Sequence, residues 1–226
     1  MIHDTATPGG DPTMRDGDSA VRDCIEDAAD QLFSQRGSGA TSIRDILAAS
    51  GQRNMSAIKY YFGDRNGLMH AVFRRRMSRL NEARARLVAQ LPADSSETDL
   101  ADLVKISVLP LAEHVHRESV GSDYARFAAQ MTPAIDFSTD DLDTIGAANG
   151  HLITLLRERL THLPPALAAR RIDLMMQMMV AVFAAYEQRR DCGVADTDDS
   201  LDDTVAALID MLVAALGAPH TVGRGD

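Results

Sequence analysis

The stretch Ile43-Arg-Asp-Ile-Leu-Ala-Ala-Ser-Gly51, continued by Gln52-Arg-Asn-Met-Ser-Ala-Ile-Lys-Tyr-Tyr-Phe62, decides the fold of this chain. It reads as two short helices joined by a turn that holds Gly51. The second helix carries Ser56, Lys59, Tyr60 and Tyr61 within about one and a half turns, and Arg53 and Asn54 stand just before it. A short helix with donors along one side and few carboxylates nearby suits a negatively charged, groove-shaped partner. Duplex DNA is the expected one.

The overall charge of −10 opposes this until it is divided along the chain. Residues 20–80 hold ten Lys or Arg against six Asp or Glu, net +4; residues 1–19 carry −3 and residues 81–226 carry −11. Phosphate attraction is local, because the Debye length is about 8 Å at physiological salt. One basic segment in an acidic chain can therefore meet DNA while the remainder repels it.

Working outward, Val21, Ile25, Ala28 and Leu32 recur at helical spacing, which predicts an amphipathic helix over 20–36 stopped by Gly37. Thr41 or Ser42 caps the next helix, and Ser42 with Asp45 has the spacing of a capping box. Asp64 is placed to cap a long helix over about 65–90, striped by Met69, Phe73, Met77, Leu80, Ala83 and Leu87. Residues 91–97 read as a polar linker. Helices are then expected over roughly 98–118, 121–131, 139–163, 166–190 and 199–217, with Pro110 inside the first and Pro133 and Pro164-Pro165 at boundaries. No segment alternates with period two, so the class is all-α. With 226 residues, 45% apolar, no Trp and 4% aromatics, the core must rest on Leu, Ala, Ile, Val and Met.

The ends are polar. Residues 1–18 are rich in Pro, Gly, Asp and Thr, lack a basic start and an apolar run, and read as a disordered tail and not a signal peptide; 219–226 form a second tail. Cys24 and Cys192 make no CxxC and are expected as two small buried or half-buried thiols without a disulfide, which points to the cytoplasm.

The succession Leu32-Phe33-Ser-Gln-Arg-Gly37, Ala40-Thr-Ser-Ile-Arg-Asp-Ile46, Ala49-Ser-Gly51, Tyr60-Tyr-Phe62, Asp64-Arg-Asn-Gly-Leu68 and Ala71-Val-Phe73 resembles the TetR (tetracycline-repressor-like) family of transcription regulators. The resemblance covers about a quarter of the chain. It implies a three-helix helix-turn-helix DNA-binding domain over 19–64 and a larger helical ligand-binding and dimerisation domain over 65–218. It puts Ser42 and Arg44 at the start of the helix that crosses the DNA backbone. Arg53, Asn54, Ser56, Ala57, Lys59, Tyr60 and Tyr61 fall on or beside the recognition helix, with Ile58 and Phe62 as core anchors. Arg65 stands where the family carries a basic residue that touches phosphate. Three departures stand out: the usual aromatic at Lys59 is replaced, the usual His at Tyr61 is Tyr, and the turn between Gly51 and Phe62 is one residue longer than the commonest form. These bear on docking register and target sequence.

Lys59 is one of two lysines, with Lys105, and either it serves DNA as a point donor or it lies on a solvated face. Of Tyr60 and Tyr61, at least one is expected to reach the phosphate backbone and the other to be partly core. Arg74, Arg75 and Arg76 read as a solvated basic face. Leu174-Met-Met-Gln-Met-Met-Val-Ala-Val-Phe-Ala-Ala-Tyr186 is apolar on nearly all sides and too short to span a bilayer, which needs about 20 residues. One of its faces should line the core and the opposite face a second subunit, giving a homodimer through helices 166–190 and 199–217; a central helix of a monomer is the plainer reading. A dimer would meet two half-sites of a double-stranded operator about 34 Å apart. Tyr124, Arg126, Phe127, Gln130, Met131, Met175, Met178 and Met179 are candidate ligand-binding residues for a small apolar or amphipathic effector, against ordinary packing for each.

Other chemistry finds little support. Asp198-Asp-Ser-Leu-Asp202 has the DDxxD spacing of some helical isoprenoid enzymes, but acidic residues at a helix start are favoured by the helix dipole. His114 and His116 point about 200° apart on a helix and cannot share a metal. No P-loop, H-x-x-x-H or nucleophile elbow occurs. The expectation is a DNA-binding repressor with no cofactor, no metal, no enzymatic activity and no membrane segment. The alternatives are a small all-α enzyme using 198–202, or a helical adaptor without DNA binding.

Overall fold

The computed structural model describes residues 16–92, 98–117, 123–135, 137, 146–193 and 200–220. Every element among them is helical: α1 (Asp16–Arg36), α2 (Ile43–Ala49), α3 (Ser56–Phe62), α4 (Arg65–Val88), α5 (Leu100–Arg117), α6 (Tyr124–Met131), α7 (Ala147–Arg159), α8 (Pro165–Asp191) and α9 (Leu201–Gly217), with a 3-10 turn at Thr132–Ala134. Residues 93–97 of the linker, 139–145 at the start of the helix expected over 139–163, and Asp198-Asp199 lie outside the described residues. So do 1–15 and 221–226 of the two tails.

The starts and stops follow from local hydrogen bonding. α1 begins at Asp16, four residues earlier than periodicity suggests, because the polar residues 16–19 continue a helix without contributing to its apolar stripe. It ends where the Gly37 N–H donates to the Phe33 carbonyl (2.8 Å), with Gly37 at φ 77°. Thr41 seals that end, its hydroxyl donating to the Gly37 carbonyl at 2.9 Å. Ser42 and Asp45 form the full capping box: the Asp45 N–H donates to Ser42 Oγ (3.2 Å) and the Ser42 N–H to Asp45 Oδ2 (3.1 Å). These bonds favour the ionised Asp45 carboxylate and hold its pKa below the ordinary value. α4 starts on Asp64, whose Oδ1 accepts from the Gly67 N–H at 2.8 Å.

α4 is the shaft of the molecule. Its first half packs on α1 and α3, and its length then runs against α5, α6 and α7. Around it α6 lies on α8, α5 on α9, and α8 on α9. One core runs through both ends, from Ile25, Phe33, Ile46 and Ile58 through Phe73 to Leu103, Phe127, Leu152, Met176 and Phe183. α6 lacks a side-chain cap of its own; the buried Glu187 carboxylate reaches across from α8 and accepts from the Ala125 and Arg126 N–H groups, both at 3.0 Å.

Two expectations require correction. Arg76 is not on a solvated face: it is buried, bonded to Asp30, Ser34 and Asp123, with its guanidinium 4.5 Å from the Phe127 ring centroid. It follows Phe73 by three residues and precedes Leu80 by four, so it shares their inward face. Arg75 pairs with Asp27, and Arg74 is exposed. Cys24 and Cys192 are free thiols as expected but exposed, because Cys24 falls on the outer face of α1 and Cys192 follows the last turn of α8.

Candidate functional site

The turn that presents α3 is built by backbone geometry. Gly51 at φ 71° lets the chain reverse after α2, and the Gln52 N–H donates back to the Leu47 carbonyl at 2.8 Å. Asn54 then organises the start of α3, its Oδ1 accepting from the Ser56 N–H (2.9 Å) and hydroxyl (2.7 Å). Ile58 is buried and Phe62 half-buried under the Arg22 guanidinium, so one side of α3 is fixed. At the other end Gly67 lies so close to the Phe62 carbonyl oxygen that a Cβ there would overlap it.

The opposite side of α3 is open. Ser56 and Lys59 are exposed and Tyr60 is 73% exposed. Asn54, Ser56, Ala57, Lys59, Tyr60 and Tyr61 line one surface hollow with Val21 and Gln52. A neighbouring hollow is lined by Arg44, Arg53 and the α2 face, and Gln52 belongs to both. Eight of the sequence-derived positions thus adjoin one another, and exposed Ser42 stands at the head of α2. The two tyrosines divide. Tyr60 points outward, whereas half-buried Tyr61 donates to Asp18 at 3.2 Å and packs edge-on against Tyr60 at 4.7 Å. Burial raises the Tyr61 phenol pKa, and the nearby Asp18 carboxylate adds to the shift. Arg65 stands apart: its Nη2 donates to the Ser38 carbonyl and its guanidinium lies 5.9 Å from the Phe33 ring centroid.

The residues expected around a ligand do not form one group. Arg126 turns to α8, bonding Gln188 (3.3 Å) and pairing with Asp191 (2.7 Å). Exposed Gln130 accepts from the Ser38 hydroxyl in the α1–α2 loop. Phe127 stacks on Phe33 at 5.5 Å. Met131 and Met175 are core, and Met178 is exposed. Only Tyr124 and Met179 border an internal cavity of about 20 Å³ enclosed by α4, α5, α6, α7 and α8.

Three polar groups line that cavity: Tyr124, which the sequence reading named, and Arg84 and Asn149, which it missed, at 5%, 2% and 1% exposure. Arg84 Nη1 donates to Asn81 Oδ1 (3.1 Å) and Nη2 reaches the Ser107 carbonyl (3.5 Å). Among the described residues, Arg84 Nε, the Tyr124 hydroxyl and Asn149 Oδ1 have no hydrogen-bond partner. Burial pulls the Arg84 pKa down to about 10, which leaves it charged at neutral pH, and pushes the Tyr124 phenol up. A signal was present: Arg84 follows Leu80 by four and precedes Leu87 by three, so it interrupts the apolar stripe of α4.

Residues 25–72 match the family model of bacterial regulatory proteins, tetR family. The matched residues run from Ile25 in α1 through α2 and α3 into the first turns of α4, the segment that holds the helix-turn-helix. Among solved structures, the chain is similar to a TetR-family transcriptional regulator from Pectobacterium atrosepticum (TM-score 0.51, 19% identity, 92% of this chain and 100% of that one). It is also similar to a TetR-family regulator from Syntrophomonas wolfei (TM-score 0.50, 13% identity, 91% and 99%). At such identities these two establish the all-helical fold. No curated protein matches the chain.

Proposed function

We propose that this protein is a transcriptional repressor that binds a palindromic operator as a homodimer and releases it when a small molecule enters the helical body. The observation that carries the reading is the open side of α3, with Lys59, Tyr60, Ser56 and Asn54 beside Arg44 and Arg53 on adjoining exposed surface. The proposed contacts are Ser42, Arg44, Arg53, Asn54, Ser56, Ala57, Lys59, Tyr60 and Tyr61, with Arg65 joining if it leaves Ser38. The proposed domain division is a reader ending near residue 64 and a body beyond it, acting in the cytoplasm where the DNA lies.

Dimerisation is supported by an apolar strip that a single chain leaves uncovered. On α8, Leu174, Met178, Ala181 and Ala185 are exposed at spacings of four, three and four; on α9, Ala207, Met211, Ala214 and Ala215 are exposed on one side of the helix. The two helices touch, so their strips suit a four-helix interface. Exposed apolar strips of this kind mark interaction surfaces, and a second copy of the chain would cover both at once.

The route from body to reader is α4. Arg76 on this helix ties Asp30 and Ser34 of α1 to Asp123 at the foot of α6. A ligand that shifts α4 therefore moves the reader and changes the spacing of the two recognition helices. A coupling of about 1–3 kcal/mol, or 5- to 150-fold, suffices for release. The test is fluorescence anisotropy of the purified chain against labelled DNA from upstream of its own gene at low ionic strength, with sedimentation to give its oligomeric state. Specific, salt-sensitive binding by a dimer is expected; a monomer that ignores every fragment ends the proposal.

A further inference from the structure

A buried arginine without a carboxylate is an unfinished site. Among the described residues no acidic group pairs with Arg84, whose hydrogen-bonded neighbours are the neutral Asn81 side chain and Ser107 carbonyl. Burying an ion costs several kcal/mol unless a counter-charge and further hydrogen bonds compensate. Two more buried groups on the same cavity wall, the Tyr124 hydroxyl and Asn149 Oδ1, also lack partners. Buried polar atoms are satisfied in the great majority of proteins, so three orphans on one cavity call for an occupant.

We infer that this cavity is the binding site for a small organic acid, whose carboxylate is received by Arg84 and Tyr124. This deepens the effector reading above by naming the ligand class. The donor set selects the chemistry. Arg84 Nε–H and the Tyr124 O–H can both donate to carboxylate oxygens, and charge-assisted bonds of this kind are roughly twice as strong as neutral ones. Asn149 Oδ1 is an acceptor and asks for a donor on the ligand, which a hydroxyl close to the carboxylate provides. The remaining wall is apolar, with Phe73, Leu111 and Val180, so the body of the acid is aromatic or short aliphatic.

A water alone does not fill the role. The cavity, about 20 Å³, has room for roughly one water, and a water brings no charge to Arg84. Admitting an acid means enlarging the space, and Met77, Met176 and Met179 border it. Unbranched thioether side chains repack with little strain, so this wall can yield without breaking the helices. Because Arg84 lies on α4, the acid would pull on the helix that carries Arg76 and the reader.

The experiment measures the Tm of the full chain with 2-hydroxybenzoate, benzoate, hexanoate, benzamide, phenol and sodium chloride. At a hundredfold excess over Kd, a bound acid should raise the Tm by roughly 5–10 °C. The acids are expected to do so, 2-hydroxybenzoate at the lowest concentration, while the amide, the phenol and chloride do not. Arg84→Met should abolish the response, and Tyr124→Phe, which keeps the ring, should weaken acid binding about tenfold. The proposal is overturned if no acid raises the Tm, if benzamide or chloride matches benzoate, or if Arg84→Met responds as the parent does. Should Arg84→Met fail to fold, Tyr124→Phe decides: an undiminished response to the acids overturns the proposal. DNA binding is read separately by anisotropy. Acid binding by a chain that ignores DNA removes the regulatory reading alone, and DNA binding without acid binding removes this one alone.

Discussion

Lys59 and Tyr60 are the residues whose loss should be read by DNA and not by the fold. Both are exposed at the start of the second turn of α3, and neither side chain makes a hydrogen bond among the described residues. Lys59→Ala and Tyr60→Ala should therefore weaken DNA binding in anisotropy while leaving the melting curve nearly unchanged. A phosphate contact at Lys59 should appear as a salt slope smaller by about 1. Unchanged affinity in both variants would remove them from the interface. Tyr61 is a poorer probe, since its ring and its Asp18 bond belong partly to the packing of α1 on α3.

At the scale of elements, joints decide behaviour. The α3–α4 joint has no room for a side chain at Gly67, because the Phe62 carbonyl oxygen occupies the place a Cβ would take. Gly67→Ala should push α3 off its seat, costing about 1–3 kcal/mol and lowering DNA affinity. Wild-type values in both melting and anisotropy would mean that the joint yields freely. The α6 cap predicts a pH effect. Burial raises the Glu187 pKa above its ordinary 4.5, against the opposing hydrogen bonds from Ala125 and Arg126. The folded state then holds a proton that the unfolded state has released, so this group's contribution is greatest below pH 4.5 and declines as pH rises through the folded value. Relative to Glu187→Gln, the parent should lose Tm as pH climbs from about 4.5. A constant difference between the two melting profiles would argue against a raised pKa.

For the whole molecule, the prediction concerns assembly. Replacing Leu174 and Met211 together by Glu places charge on the two exposed apolar strips, the latter residue being 59% exposed. Sedimentation should give a helical monomer, and DNA affinity should fall at least tenfold because only one half-site is held at a time. A dimer that survives the double substitution forms through another face.

Sequence alone determined the class of the fold and the helix-turn-helix. Helical periodicity, Gly37, Gly51 and Gly63, and the Ser42–Asp45 and Asp64 caps are local signals, and local hydrogen bonds and φ angles enforce them without reference to distant residues. The open face of α3 was legible for the same reason, since Ile58 and Phe62 mark the side that must turn inward. What only the tertiary structure decided is where long polar side chains end. Arg76, expected in solvent, reaches Asp30 and Asp123, 46 and 47 residues away. Arg126, a candidate for a ligand, is taken by α8, and Arg84, passed over in a stripe of leucines, faces an interior cavity. An arginine spans several ångströms beyond its helix, so periodicity fixes its direction but not its partner, and the partner is set by which helices meet across the core.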